Sequence, residues 1–121
     1  MKKRILVVED TADNRRILRD LLTAAGYEII EAEDGATGVA MAADQKPDLI
    51  LMDIQLPVID GYEATRRIKA DPTTRHIPIV AVTSYALAGD EAKTREAGCD
   101  GYIAKPYSPR NLLEKVRGFL A

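Results

Sequence analysis

The apolar residues of this chain come in short runs of strand length, with longer amphipathic stretches between them. Residues 5–8 (ILVV), 49–52 (LILM) and 79–82 (IVAV) are unbroken apolar runs, as expected of parallel strands covered on both faces. Residues 28–32 (EIIEA) carry two glutamates and read as an edge strand, and residues 102–104 (YIA) supply a fifth strand. Between the strands the apolar period lengthens from two to about 3.6. Ile17, Leu18, Leu21, Leu22 and Ala25 recur at helical spacing, and Gly26 follows as a stop. Asp34 is placed to cap a short Ala-rich helix through Ala43, which ends before Pro47. Asp60 with Glu63 three residues on has the form of a capping box for a helix through Ala70. Ser84 or Tyr85 opens a weak helix to Ala97 with few large apolar residues. Ser108 and Pro109 read as N-cap and first residue of a last helix, whose stripe is Leu112, Leu113, Val116, Phe119 and Leu120. Strands alternating with helices throughout predict right-handed βαβ units: an α/β (βα)5 three-layer sandwich around one five-stranded parallel sheet.

In such a sheet a ligand crevice lies beyond the C-terminal strand ends. Glu9 and Asp10 follow the first strand, Asp53 the third, Thr83 and Ser84 the fourth, and Lys105-Pro106 the fifth. Each taken singly is an ordinary surface or capping residue; their concurrence on four otherwise apolar strands is not. Clustered carboxylates repel unless a cation or protons compensate. Oxygen-only ligands suit Mg²⁺ or Mn²⁺, and Lys105 is a point charge suited to phosphate oxygens. Asp53 stands alone on the central strand and is the candidate nucleophile for a phosphoryl group, while Glu9 and Asp10 form a pair suited to holding metal.

Composition narrows the field. The 121 residues are 46% hydrophobic and 30% charged, the balance of one globular domain, read as residues 1–121 with no output domain. A formal charge of −2 argues against nucleic-acid binding through phosphates. The apolar run after the basic N-terminus is too short for a signal peptide or membrane span, so no membrane is expected. The single cysteine, Cys99, reads as a small buried hydrophobe and fits a reducing cytoplasm. With His76 as its one histidine, the chain lacks the parts of a zinc site or a histidine triad.

The stretches VVED (7–10), DLILMDIQLPVIDG (48–61), IVAVTS (79–84) and GYIAKP (101–106) resemble the receiver domain of bacterial two-component response regulators, over essentially the whole chain. Among receivers the sequence looks most like single-domain regulators of the DivK kind and the receivers of hybrid kinases. The resemblance implies the strand order 2-1-3-4-5. It implies that Asp53 accepts phosphate from a phosphohistidine on a kinase or phosphotransfer protein. Glu9, Asp10, Asp53 and the backbone carbonyl of Gln55 would hold Mg²⁺; Thr83, Ser84 and Lys105 would contact the phosphoryl group. Tyr102 matches the aromatic switch position, and Lys105-Pro106 the family's cis peptide. Gln55 and Tyr85 fall where hydrolysis of the acyl phosphate is tuned. The output face would comprise the fourth helix, last strand and last helix, acting on a downstream protein or in a phosphorelay. Glu9 replaces the more usual first Asp. The alternative reading is a receiver cut from a hybrid kinase, and the resemblance implies a signalling module, not an enzyme.

Two other classes fit less well. A haloacid dehalogenase-like phosphatase needs an acid two residues after its Asp nucleophile, where this chain has Gln55. A flavodoxin-like flavin carrier needs a phosphate loop of N–H groups and hydroxyls after the first strand, where Glu9-Asp10 would repel phosphate. Asn14, His76 and Tyr27 read as surface or structural residues.

Overall fold

The computed structural model describes residues 2–83 and 88–120. Its elements alternate strictly: β1 (Arg4–Val8), α1 (Ala12–Ala24), β2 (Glu28–Ala32), α2 (Gly35–Gln45), β3 (Leu49–Asp53), α3 (Gly61–Ala70), β4 (Ile79–Thr83), α4 (Ala88–Ala97), β5 (Gly101–Ala104) and α5 (Pro109–Leu120). All strand pairs are parallel and the order is β2-β1-β3-β4-β5. The glutamate-bearing β2 is therefore an edge, and β3 is central.

The pleat divides the core into two layers. Ile5, Val7, Leu49, Leu51, Val80, Val82 and Ile103 pack with Leu18 and Leu22 of α1 and Leu112 and Val116 of α5. The intervening Leu6, Val8, Ile50, Met52 and Ile79 pack with Ala42 of α2 and with Ala64 and Ile68 of α3. Two apolar layers are needed because every central strand is covered on both sides. Continued past the strand ends, the same alternation puts Glu9, Asp53 and Lys105 on the α1/α5 side.

Several helix ends differ from the sequence expectation. α1 begins at Ala12, well before its apolar repeat. Leu18 and Leu22 of that repeat are buried, but Ile17 is 54% exposed, one position beyond the contact stripe. The capping box at α3 is half formed. Asp60 accepts the Glu63 N–H at 2.8 Å, but the Glu63 carboxylate turns to Arg66 and Arg67 instead of the cap. Asp34 and Ser108 cap α2 and α5, accepting from the Thr37 N–H (2.7 Å) and the Asn111 N–H (3.1 Å). The expected opening of the fourth helix at Ser84 or Tyr85 lies outside the described residues.

Gly61 brings the start of α3 against the end of β3. A Cβ there would run into the Asp53 carbonyl oxygen and the Ile54 Cα. No helix among the described residues is long and apolar enough to cross a membrane.

Candidate functional site

The rim beyond the C-terminal strand ends gathers the predicted residues. Glu9 (3% exposed) and Asp53 (6%) are buried, although both are carboxylates. Asp10 is exposed at the start of the β1–α1 turn. One oxygen from each of the three lies within 4.8 Å of the others, close enough for a single ion to bridge them. Lys105 reaches over the pair. Its Nζ is 3.4 Å from Asp53 Oδ2 and 3.5 Å from Glu9 Oε2, long contacts for an ammonium shared between two acids. The Lys105 N–H donates to the Thr83 carbonyl at 2.7 Å, carrying the β4–β5 ladder one step past the strand end. The Lys105–Pro106 peptide is cis.

Burial raises the Asp53 carboxyl to about 7, helped by its hydrogen bond to Glu9 and by the charge of Glu9. Lys105 and the Gln55 N–H, 3.2 Å from Asp53 Oδ1, oppose this without cancelling it. Burial also pushes the Glu9 carboxyl upward. The bond from Asp53, the Asn14 amide and the Lys105 charge together outweigh that and hold it below its ordinary value. Without a metal ion the two carboxyls therefore move apart, Asp53 upward and Glu9 downward, and the pair binds a proton more tightly than two free carboxylates do. Two buried carboxylates beside a third demand either that proton or a cation. The donor set, all anionic oxygen, fits Mg²⁺. Glu9, Asp10 and Asp53 are the carboxylates that would hold it.

Thr83 is buried at the end of β4, level with Ala104 of β5. Tyr102 is half-buried on β5, paired in register with Ala81. Ser84 and Tyr85 lie outside the described residues. Cys99 is half-buried against the α2/α3 layer, where burial pushes its thiol up and Thr65 lies 3.7 Å away, so it behaves as a packing residue.

Asn14, read from the sequence as a surface residue, belongs to the site. Its Nδ2 donates to Glu9 Oε1 at 3.1 Å, and the Thr11 N–H donates to the same oxygen at 3.3 Å. The only sequence signal was its place on the first turn of α1, which does not reveal how the side chain turns.

The comparisons with known proteins agree with this geometry. The family profile of the response regulator receiver domain matches residues 5–117. The polar-differentiation response regulator DivK of Brucella anthropi is 44% identical over 120 residues, which cover 99% of this chain and 98% of that protein. The receiver domain of a sensor histidine kinase from Pseudomonas aeruginosa, with a magnesium ion coordinated in its active-site cleft, is 38% identical. It superposes with a TM-score of 0.92 over 99% of this chain and 98% of that one. The Vibrio cholerae chemotaxis protein CheY4 superposes equally well, with a TM-score of 0.92 at 26% identity over 98% and 99% of the two chains. With its strand order, its acidic rim and a match across nearly its whole length, this chain belongs to the response regulator receiver family of two-component systems.

Proposed function

We propose that this protein is a single-domain response regulator that takes a phosphoryl group from a phosphohistidine onto Asp53. The observation that carries this reading is the convergence of Glu9, Asp10 and Asp53 within one ion's reach, with Lys105 spanning the buried pair. An Asp53 oxygen forms the new P–O bond as the P–N bond to the donor imidazole breaks; the imidazole leaves with the electron pair. Lys105 sits where it can accompany the negative charge of the transferring oxygens. Glu9, Asp10, Asp53 and the Gln55 carbonyl would hold a Mg²⁺, which would supply positive charge to neutralise these oxygens. Thr83 offers a hydroxyl to the phosphoryl group from β4. As the phosphoryl group draws the Thr83 hydroxyl inward, Tyr102 on β5 turns into the space left and carries the change to the surface formed by α4, β5 and α5. α4 resists little, since its sequence (AGDEAKTREA) has no large apolar residue. The donor is a histidine kinase or phosphotransfer protein, and the recipient is a downstream protein or the next histidine in a relay.

The single-domain form is supported by the likeness to DivK over 98% of that protein's length. The likeness to a kinase's receiver domain supports a second setting, a receiver within a hybrid kinase, with the same chemistry at Asp53. Labelling with radioactive acetyl phosphate or a phosphohistidine donor tests the reading. Asp53→Ala should abolish labelling while the circular-dichroism spectrum is unchanged. Undiminished labelling of that variant would refute the assignment.

A further inference from the structure

Arg15 differs from the arginines beside it on α1. Arg16 and Arg19 expose 61% and 45% of their side chains, whereas Arg15 exposes 13%. Its guanidinium folds back over the β1–α1 turn. Nη1 donates to the Glu9 carbonyl oxygen at 2.8 Å and to the Asp10 carbonyl oxygen at 3.1 Å. On its other side Nε lies 3.5 Å from Glu31 Oε1, and Nη2 lies 3.5 Å from Glu33 Oε1. Glu31 is itself held by Arg19 Nη1 at 3.1 Å.

We propose that Arg15 is a positioning residue for the divalent-cation site, with Glu31 and Glu33 as its anchor. The two carbonyls it holds belong to the peptide planes on either side of the Asp10 Cα. Fixing both planes fixes the direction of the Asp10 Cα–Cβ bond. Asp10 needs this, because among the described residues its carboxylate has no hydrogen-bond or ion-pair partner. Glu9 is held differently, through its carboxylate, by Asn14 and the Thr11 N–H. Only a guanidinium makes the clamp, since its planar fork offers donors on both sides and a lysine offers one point of attachment. Glu31, one of the two glutamates that mark β2 as an edge strand, thereby acquires a second task. This inference rests on the reading that Glu9 and Asp10 hold Mg²⁺.

Titration calorimetry of the metal-stripped full chain with MgCl₂ tests it. Arg15→Ala should weaken Mg²⁺ binding about tenfold, the scale of losing an outer support of a metal ligand. Arg15→Lys should recover part of that loss. Glu31→Gln, which leaves Arg15 in place but removes part of its anchor, should weaken binding by a smaller factor. Arg16→Ala removes the same charge one residue away, outside the clamp, and should stay within twofold of the wild type. Acetyl-phosphate labelling of Arg15→Ala should be slow at low Mg²⁺ and return toward wild type when Mg²⁺ is saturating. Unchanged Mg²⁺ affinity in Arg15→Ala overturns the proposal, even if its melting temperature falls. So does an equal loss in Arg16→Ala. If Arg15→Ala does not fold, wild-type affinity in both Arg15→Lys and Glu31→Gln overturns it. A wild-type protein that binds no Mg²⁺ removes the underlying site reading itself, a different result from binding that is indifferent to Arg15.

Discussion

The two ends of the sheet carry the same kinds of residue in opposite circumstances. At the N-terminal edge, Asp48 precedes β3 and Asp100 precedes β5. Asp48 Oδ2 accepts the Arg4 N–H at 2.8 Å, and Asp100 Oδ2 accepts the Ile79 N–H at 2.8 Å. Lys69 Nζ completes the second node, 2.9 Å from Asp100 Oδ2, 2.8 Å from the Ile77 carbonyl and 3.1 Å from that of Arg75. At the C-terminal edge, Glu9, Asp10 and Asp53 face one another, and the one nearby ammonium among the described residues stands 3.4 Å and 3.5 Å away. The cause is the parallel sheet. Its strands all point the same way, so the residues that follow four different strands are gathered on one rim, three of them carboxylates. An acid at the first edge is satisfied by backbone. Glu9 and Asp53 at the second also accept backbone N–H groups, from Thr11 and Gln55, but they crowd against each other and Asp10 and stay available for a cation or an electrophile.

This contrast predicts opposite signs for equivalent substitutions, with the largest effect from Asp53. Its carboxyl is raised from 3.8 to about 7 in the folded protein, so the native state binds the extra proton between those values. The stability gained this way is complete below pH 3.8 and is lost as pH rises through about 7. Metal-free wild type should therefore lose roughly 2–3 kcal/mol relative to Asp53→Asn between pH 5 and pH 8, because each tenfold change in proton concentration over that window is worth about 1.4 kcal/mol. Urea unfolding at the two pH values measures it, and millimolar Mg²⁺ should restore the wild type at pH 8. A pH-independent difference between the two proteins would break the contrast.

Asp100→Ala should act in the other direction. It leaves the Ile79 N–H without this acceptor and the Lys69 ammonium with only the Ile77 and Arg75 carbonyls, and should cost about 2 kcal/mol by urea unfolding, at either pH and with or without Mg²⁺. Phosphorylation of Asp53 should be unaffected. Loss of labelling in Asp100→Ala would mean that the two edges are not separate.

The smallest effect concerns the loop between Asp53 and α3. Val58 is a β-branched residue at φ 71°, 77% exposed, in a region favoured by glycine. Relief of the left-handed penalty, offset by the greater freedom of unfolded glycine, should make Val58→Gly more stable by about 0.5–1 kcal/mol. A shift of the urea midpoint at constant slope is the measure. A loss of stability would show that the Val58 side chain contributes more than its exposure suggests.

Much of this was legible in the sequence. The apolar runs of residues 5–8, 49–52 and 79–82 named the central strands because nothing but full burial tolerates them. The same runs told which acids stand at the strand ends, so Glu9, Asp10, Asp53 and Lys105 could be grouped from alternation and topology alone. The glutamates of residues 28–32 marked an edge, because a charge on a strand needs an open side. Helix limits were less legible: α1 starts before its apolar stripe, since backbone hydrogen bonding and packing do not begin at the same residue.

What tertiary structure decided lies in contacts between elements and in the direction of individual side chains. Which of the Glu9 and Asp53 carboxyls moves upward and which downward depends on their unequal partners, Asn14 and the Thr11 N–H on one side and the Gln55 N–H on the other. Asn14 and Arg15 are adjacent polar residues on one helix turn, with no mark in the sequence to separate them from Arg16. One turns to a carboxylate and the next to two carbonyls and a neighbouring strand, because the β2-β1-β3 order sets what lies within reach of each. Burial and strand polarity act over whole segments and leave a periodic trace in the chain. Hydrogen bonds and ion pairs act between single atoms, and their partners are settled only when distant strands come into register.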